Sequence, residues 1–487
     1  MEKFKLYLKL IVLTQMSLIR RIFKKTNTRL VGNIVLLFII INFLSLLGLF
    51  IYIPRAIFYY EYALVLVVLI YFNKVNFAYL LFLFFLLLDF FDAFSSVYLF
   101  NAVELLKNFK YLLLYKISFL QVFFGLLAVV FLTIIYIIIK KINTRIQENK
   151  KGSIKLIALI YVFIFLFDLV NGSNILIDNQ GSWKLSNKNI ASFLAKNYIY
   201  FFQQITYSKS NRIDKYSEKS PVFSYLKNDT INNEIVIIVE SWGLIKDSLI
   251  RNKVRQIIND KISENGFNYE WGKTRFNGST NSAELKQFLN IKGEYQYYIN
   301  HSSLGSGDTS IFNFKKTQGY HNAGFHSYTG KMFARESWWP NIGMQDVYFR
   351  DNYIMEHLNE PNSIQGDAPF PAIKDELMFD YLLTKTKGPQ KEFTYFLTVN
   401  SHLPFRHKTA LLYPALTNEM NGLEISEEAK NQLLLIYNQL AYFIEKLAKS
   451  KFKKIIIMGD HMPPFMNIKD RYFYSSKLVP YLYLSKD

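Results

Sequence analysis

The chain has 487 residues, 51% of them hydrophobic and 17% aromatic, with a formal net charge of +19, and its apolar residues are concentrated in the first third. It has no cysteine, which excludes disulfides, thiolate metal ligands and a cysteine nucleophile. A membrane protein with a soluble portion is expected. Lys/Arg runs that abut long apolar segments set topology and meet anionic headgroups, so nucleic acid is not an expected partner.

In chain order, residues 1–29 come first, where the stretch Phe4 to Ile19 is interrupted by Lys5 and Lys9 and has no small-residue cleavage site. That stretch is expected along the inner membrane surface, not as a cleavable signal. Five apolar segments follow, Leu30 to Ile53, Ala56 to Phe72, Phe77 to Phe91, Leu113 to Ile139 and Leu156 to Val170, so residues 30–170 read as a five-helix transmembrane domain. Basic residues precede the first span (Arg20, Arg21, Lys24, Lys25, Arg29) and separate the fourth from the fifth (Lys140, Lys141, Arg145, Lys150, Lys151), which marks both stretches as cytoplasmic. An odd number of spans then places everything after Val170 outside the cytoplasm. Asp89, Asp92 and Asp168 lie near span ends, where interfacial hydration accounts for them. Residues 171–222 turn to Asn, Ser, Lys and Tyr and read as a connector, with Ile190 to Ile205 as an amphipathic helix at the membrane surface.

Residues 223–487 are long enough to bury a core without disulfides. Strand-like runs (Ile235 to Val239, Phe393 to Val399, Lys454 to Met458) alternate with helical spacing over Lys246 to Ile262, Ser282 to Leu289, Asp375 to Leu383 and Ser426 to Leu447. This alternation predicts a three-layer α/β sandwich around a mostly parallel sheet. Two of the apolar runs end in Glu240 and in Asp460-His461. Ligands bind beyond the carboxyl ends of strands in such sheets, and Glu, Asp and His together suit Mn²⁺, Zn²⁺ or Mg²⁺. An acid at a strand end can equally be a solvated loop residue or a helix cap.

The segment Phe276-Asn-Gly-Ser-Thr280-Asn-Ser-Ala-Glu284 sets hydroxyl residues before a helix, with Asn281 as expected N-cap and Glu284 closing a capping box. Thr280 would then sit over a helix N-terminus, where a phosphoryl group is stabilised, although Ser279 and Thr280 would also serve simply as caps. His402, after the strand at Phe393 to Val399, is placed to bond a phosphate oxygen or protonate a leaving group. Arg335 suits a bidentate grip on phosphate, and His326 is either a wall residue or a functional one.

In order, Glu240, Gly278-Ser-Thr280-Asn-Ser-Ala-Glu284, Arg335, Ser401-His402-Leu-Pro-Phe405 and Gly459-Asp460-His461 resemble the lipoteichoic acid synthase family, within the alkaline phosphatase and sulfatase superfamily. The resemblance implies a divalent metal, generally Mn²⁺, held by Glu240, Thr280, Asp460 and His461. It also makes Thr280 a nucleophile that carries glycerol phosphate taken from phosphatidylglycerol, and His402, Arg335, His326 and Phe333 substrate contacts. A phospholipid would be the donor, and an envelope glycan or glycolipid the acceptor. Phe333 stands where the family usually has Trp, and Asn281-Ser282 replace the commoner Ser-Asp, so a different headgroup pocket is expected. Little chain follows Phe465, and addition of single substituents is therefore expected in place of a long polymer. A sulfatase would need a Cys or Ser in a Cys/Ser-x-Pro-x-Arg context, which is absent. The alternatives are a phosphoethanolamine transferase, whose relatives usually carry disulfides, and a non-catalytic membrane scaffold.

Overall fold

The computed structural model describes residues 28–43, 59–98, 119–171, 175–177, 183–185, 220–228, 233–276, 279–289, 310–357, 371–386, 388–403, 405, 423–465 and 467–486. The chain divides into two compact units. The expected surface segment at Phe4 to Ile19 and the connector helix at Ile190 to Ile205 lie outside the described residues.

The first unit is built from apolar helices: α1 (Thr28–Ile41), α2 (Tyr62–Ile70), α3 (Val75–Tyr98), α4 (Phe119–Glu148) and α5 (Lys150–Asn171), followed by the hairpin β1 (Ile175–Ile177) and β2 (Trp183–Leu185). Leu30, Ile34, Leu37 and Ile41 form a buried stripe on α1, and Ile135, Ile139, Ile142 and Ile146 form another on α4. Residues spaced three and four apart share one helix face, so each stripe can pack against a neighbour. Elsewhere on α4, Leu126, Val129, Val130, Ile134 and Ile137 remain exposed although apolar. Among the described residues one helix, Gly125–Glu148, is long and apolar enough to cross a membrane, and Leu30–Ile41 and Val75–Phe91 are shorter apolar helices. Asp89 is buried and accepts a hydrogen bond from the Tyr62 hydroxyl at 3.0 Å, so it is paired with protein where interfacial hydration had been expected.

The second unit holds a seven-stranded sheet in the order β4-β9-β8-β3-β7-β5-β6. Its strands are β3 (Asn233–Val239), β4 (Asn268–Arg275), β5 (His321–His326), β6 (Asp346–Phe349), β7 (Glu392–Leu397), β8 (Phe452–Gly459) and β9 (Leu478–Ser485). The five strands from β8 to β6 are parallel, whereas β9 runs antiparallel to both β8 and β4. The sheet is therefore mixed, a correction to the mostly parallel expectation at one edge. The polar sequence of β4 and the Pro480 of β9 hide both strands from an apolar-run pattern.

Helices cover both faces, as the three-layer expectation requires. Ile235, Ile237 and Val239 of β3 pack on one side with α7 (Ser248–Glu264), α12 (Asp375–Lys385) and α13 (Glu427–Ala448). Val236 and Ile238 face the other side with α6 (Pro221–Tyr225), α8 (Thr280–Leu289), α9 (Ile311–Thr317) and α10 (Arg335–Asn341). Two short helices, α11 (Arg350–Glu356) and α14 (Ile468–Phe473), complete the set. Local chemistry fixes the helix starts: Asp247 accepts from the amides of Leu249 and Ile250 at α7, and Ser426 accepts from that of Ala429 at α13.

The register of β3 and β8 pairs Val239 with Gly459, which sets the next residues, Glu240 and Asp460, side by side. Gly459 allows this approach, because a Cβ there would collide with the Trp242 carbonyl oxygen. Backbone atoms would have to move to admit a methyl group, and overpacking of that kind costs about 3 kcal/mol. Gly459→Ala should therefore lower the thermal unfolding temperature of the protein in a circular-dichroism melt. An unchanged melt would mean that the strand ends are looser than their register implies.

Candidate metal centre and nucleophile

The parallel strands β3 and β8 deliver Glu240, Asp460 and His461 to one point, and α8 brings Thr280 over it. One ligand atom from each of Glu240, Asp460 and His461 lies within 4.8 Å of the others. The Thr280 hydroxyl lies 2.8 Å from Asp460 Oδ2 and 3.1 Å from Glu240 Oε2, while His461 Nε2 lies 3.4 Å from Glu240 Oε1 and 3.3 Å from Asp460 Oδ2. These are the four residues expected to bind metal.

The surrounding backbone fixes each donor. The amides of Ser241 and His461 both donate to Asp460 Oδ1, at 2.8 and 2.6 Å. Ser241, held at a φ of 58°, also donates its hydroxyl to Glu240 Oε1. The Glu240 amide donates to Thr398 Oγ1 at 3.0 Å, and Ser401 Oγ donates to the Glu240 carbonyl at 2.5 Å. His461 Nδ1 is bonded to the Met462 carbonyl at 2.9 Å. A carbonyl can only accept, so Nδ1 carries a proton and Nε2 is left to face the carboxylates, as a metal-binding imidazole requires.

Charge in this cluster is strongly unbalanced. Burial raises the Asp460 pKa and the neighbouring Glu240 charge raises it further, to about 7. Burial opposes protonation of His461, but the charge of Asp460 and the bond and charge of Glu240 overrule it and push the imidazole up to about 10. Burial also acts to raise Glu240, yet the bond and charge of His461, followed by the charge of His402, hold it well below the usual carboxylate range. The site thus retains protons exactly where a cation would sit. Two carboxylates, a hydroxyl and an imidazole in this arrangement fit a divalent cation of the Mn²⁺, Zn²⁺ or Mg²⁺ type.

Beneath Thr280 lies a second buried network. Glu284, one turn further along α8, accepts from Arg335 Nε at 3.0 Å and Nη2 at 2.8 Å, from Trp339 Nε1 at 3.1 Å and from the Tyr395 hydroxyl at 3.2 Å. The expected capping box at Asn281 and Glu284 is therefore absent. The helix begins at Thr280, the Ser279 carbonyl accepts from the amides of Ser282 and Ala283, and Glu284 turns inward because a buried arginine needs a counter-charge. Arg335, expected to grip phosphate bidentately, spends its fork on Glu284 and is almost fully buried.

The remaining predicted residues surround these groups. The guanidinium carbon of Arg335 lies 5.0 Å from the centroid of the buried Phe333 ring. Phe333 and Ala334 both take positive φ, 57° and 54°, in the bend that aims Arg335. His326 is buried with Nδ1 on the Leu397 carbonyl, and burial, then the Arg335 charge, push it down to about 3. It is a buried, neutral residue close enough to Arg335 and Glu240 for the charge of each to act on it. His402 is half-buried with Nδ1 on the Leu403 carbonyl at 2.8 Å. Sequence reasoning did not single out Ser241, Thr398 or Asp375, and it used Ser401 only as part of a motif. The buried Asp375 carboxylate accepts from the amides of Val399 and Asn400 and from Gln439 Nε2, and so holds the turn that carries Ser401 and His402. Only its place at the start of an apolar-periodic helix was visible beforehand.

Residues 232–483, just over half the chain, match the model of the family described as sulfatase. The chain belongs to the sulfatase family. No curated protein sequence matches it. Among solved structures this sulfatase-family chain is similar to the lipoteichoic acid synthase LtaP from Listeria monocytogenes, at 16% identity and a TM-score of 0.37 over 57% of this chain and 70% of that one. It is also similar to the phosphoglycerol transferase GacH of Streptococcus pyogenes, at 15% identity and a TM-score of 0.38 over 60% of this chain and 74% of that one. The periplasmic domain of EptC from Escherichia coli follows at 13% identity and a TM-score of 0.33, over 54% of this chain and 74% of that one.

The retained protons give this sulfatase-family site a testable pH dependence. A cation must displace the proton that His461 keeps until about pH 10 and, below about pH 7, the one on Asp460. Binding therefore releases protons, and affinity for Mn²⁺ should rise with pH across the neutral range. Calorimetry in buffers of different ionisation enthalpy should find about one proton released per cation in mildly alkaline solution and more in mildly acidic solution. Affinity independent of pH would mean that the cation binds elsewhere.

Proposed function

We propose that the protein transfers phosphoglycerol from phosphatidylglycerol to an envelope glycan or glycolipid through a covalent Thr280 intermediate. The observation that carries this reading is the placement of the Thr280 hydroxyl, at the first residue of α8 and within hydrogen-bond reach of both Asp460 and Glu240. A threonine hydroxyl becomes a useful nucleophile only when its proton is easily lost. A divalent cation held by Glu240, Asp460, His461 and Thr280, Mn²⁺ by resemblance, would lower the pKa of that hydroxyl and offset charge on the phosphoryl oxygens.

The chain's own groups supply the rest. Thr280 Oγ attacks the headgroup phosphorus and the bond to the diacylglycerol oxygen breaks, so diacylglycerol departs carrying the threonine proton. An acceptor hydroxyl then displaces phosphoglycerol from Thr280 and returns a proton to it. Charge grows on the non-bridging oxygens in both steps, and the positive end of the α8 dipole, with His402 beside Glu240, would stabilise it. Arg335 contributes a fixed positive charge from its pair with Glu284. Absence of cysteine and the segment around Thr280 favour phosphoglycerol over phosphoethanolamine as the group transferred. Five membrane spans would keep this chemistry beside its lipid donor, outside the cytoplasm.

Intact-protein mass spectrometry of the metal-loaded full chain tests the chemistry directly. Incubation with phosphatidylglycerol and no acceptor should add one glycerol phosphate, and Thr280→Ala should add none. An adduct of phosphoethanolamine mass after incubation with phosphatidylethanolamine, with none from phosphatidylglycerol, would reassign the donor. No adduct from either lipid would return the protein to the scaffold alternative. For the topology, reporter fusions after Ser220 should be active only outside the cytoplasm and fusions near Gln147 only inside it. A cytoplasmic signal after Ser220 would overturn the lipid-headgroup mechanism as well as the span count.

A further inference from the structure

Leu249 and Tyr472 are 80% and 57% exposed, two of the four large apolar side chains left strongly exposed among the described residues of the second unit. Apolar residues scattered singly over a surface need no explanation. These two stand together, at the edge of the sheet that carries the metal centre, and cations ring them. Placement, charge and side-chain chemistry together say what covers them.

Placement comes from the two segments that leave the metal ligands. Residues 241–247 follow Glu240 and lead into α7, which carries Leu249 in its first turn, and the segment after His461 leads into α14, which carries Tyr472. Backbone contacts join the two segments: the Lys246 amide donates to the Phe473 carbonyl at 3.0 Å, the Ser475 amide donates to the Leu244 carbonyl at 2.8 Å, and Ile245 bridges Tyr474. A Cβ on Gly243 would fall 2.7 Å from both Pro463 and Tyr474, so the segments pack without a gap. Gln432 of α13 ties them again, donating to the Ser241 carbonyl and accepting from the Tyr474 hydroxyl. The exposed pair is thereby held at a fixed position relative to Glu240 and His461.

The charge around it is of one sign. Lys246 Nζ lies 4.0 Å from the centroid of the Tyr472 ring, and Lys253 shares the exposed face of α7 with Leu249, one turn away. Lys469 and Lys477 flank Tyr472 in the chain, and both are exposed. Lys253, Lys469 and Lys477 have no ion pair among the described residues. Acids of the adjoining elements are already engaged: Asp247 caps α7, Asp470 is buried against Ser426, and Glu427 pairs with Lys430. Lys273 and Arg275 extend the charge on this side, because they alternate along β4 with Trp271, which meets Asn259 and Arg255 of α7.

Side-chain chemistry selects the occupant. The four cations nearest the apolar pair are lysines, each a mobile point charge on a long apolar stem, and none presents the rigid fork that grips one fixed phosphate. Such charges suit a fluid sheet of anionic headgroups. Tyrosine, apolar in body and polar at its tip, favours the boundary between headgroups and acyl chains, and Leu249 beside it supplies a side chain to bury there.

We propose that Leu249 and Tyr472, with Lys246, Lys253, Lys469 and Lys477, form a docking surface by which the second unit settles onto an anionic lipid bilayer. The inference rests on the proposed function, in which the donor is a lipid. Docking at this surface turns the metal-bearing edge of the sheet toward the plane of the headgroups, so that Thr280 meets donors by lateral diffusion. The occupancy of the docked state, and with it the supply of donor, then follows the anionic content of the membrane.

Because the chain has no cysteine, a single fluorophore can be attached through Ser248→Cys, next to Leu249, or through Thr317→Cys, at the opposite edge of the sheet. The full chain is reconstituted in nanodiscs of phosphatidylcholine, with or without phosphatidylserine, and quenching by a headgroup nitroxide lipid is read. The Ser248→Cys label should be quenched, more strongly with phosphatidylserine present, and the Thr317→Cys label should not. A cation near an anionic surface is worth about a fivefold gain in binding, so Lys246→Gln/Lys253→Gln should lower the docking equilibrium about twentyfold. Leu249→Ser/Tyr472→Ser should lower quenching in both kinds of disc. All four substituted side chains are exposed, so folding should survive, and a label through Asn252→Cys, one turn along α7, repeats the measurement away from the helix start. Equal quenching of the two labels, no quenching of either, or quenching unchanged in the Lys246→Gln/Lys253→Gln protein would overturn the proposal. So would shielding of the Ser248→Cys label by soluble polyphosphate without quenching in discs, which would assign the patch to an anionic polymer, or shielding seen only with two chains per disc, which would assign it to a second copy. Phosphatidylserine supplies charge without being the proposed donor, and no turnover is needed, so the result stands apart from the Thr280 adduct that tests the functional reading.

Discussion

Two carboxylates that adjoin at the ends of neighbouring parallel strands govern the second unit. The register of β3 and β8 leaves Glu240 and Asp460 no room to separate, and burial removes the water that would screen them. Such a pair is tolerable only with positive charge between its members. Protonated His461 and, below about pH 7, the proton on Asp460 relieve that charge when no cation does. The donors from Ser241 and His461 fix the carboxylate oxygens, while Ser401 Oγ donating to the Glu240 carbonyl and Thr398 Oγ1 accepting from the Glu240 amide fix the backbone that carries one of them. Thr280 completes the cluster because its hydroxyl can bridge both acids.

Around this centre the structure is arranged in successive supports. Asp375 gathers the turn after β7, the turn holds the backbone of Glu240, and Glu240 helps set the charge on His461. Burial pushes Asp375 up to about 6, against the bonds it accepts from the Val399 and Asn400 amides and from Gln439. Its carboxylate is needed in the ionised form because nearly every partner is a donor. Glu284 has the corresponding task for Arg335. A buried ion pair of this type contributes less to stability than to position, since both charges were taken out of water to form it. Lys315 and Glu234 form another buried pair, 2.7 Å apart, near the opposite end of β3.

Much of the centre was legible in the sequence because its geometry is dictated by strand ends. β3, β7 and β8 are continuous apolar runs, so the residue after each run had to face the ligand-binding edge. Thr280 could be placed by the small residues and the helical pattern that follow it. The partners of Glu284 were not legible: Arg335 and Trp339 are far away in sequence, and the segment looked like a local capping box. The edge of the sheet was hidden for a different reason. β4 has one exposed side and reads as polar, while Pro480 argues against a paired strand until its position is known. Pro480 pairs with Lys273, just past the point where pairing between β9 and β8 ends, so its missing N–H costs nothing on that side. In the first unit, apolar composition located helices well but gave no hint that Asp89 would find Tyr62.

The bend before Arg335 has an evolutionary consequence. Phe333 and Ala334 sit consecutively in a backbone region that costs non-glycine residues roughly 1–2 kcal/mol each. Glycine at either position would relieve that cost, so drift toward glycine is favoured as far as folding is concerned. It would also free the segment to swing, and Arg335 would lose the stiff lever that presses it onto Glu284. Strain here acts as a record of selection for precision over robustness, and variants recovered for heat resistance at these positions should be viewed with suspicion as catalysts.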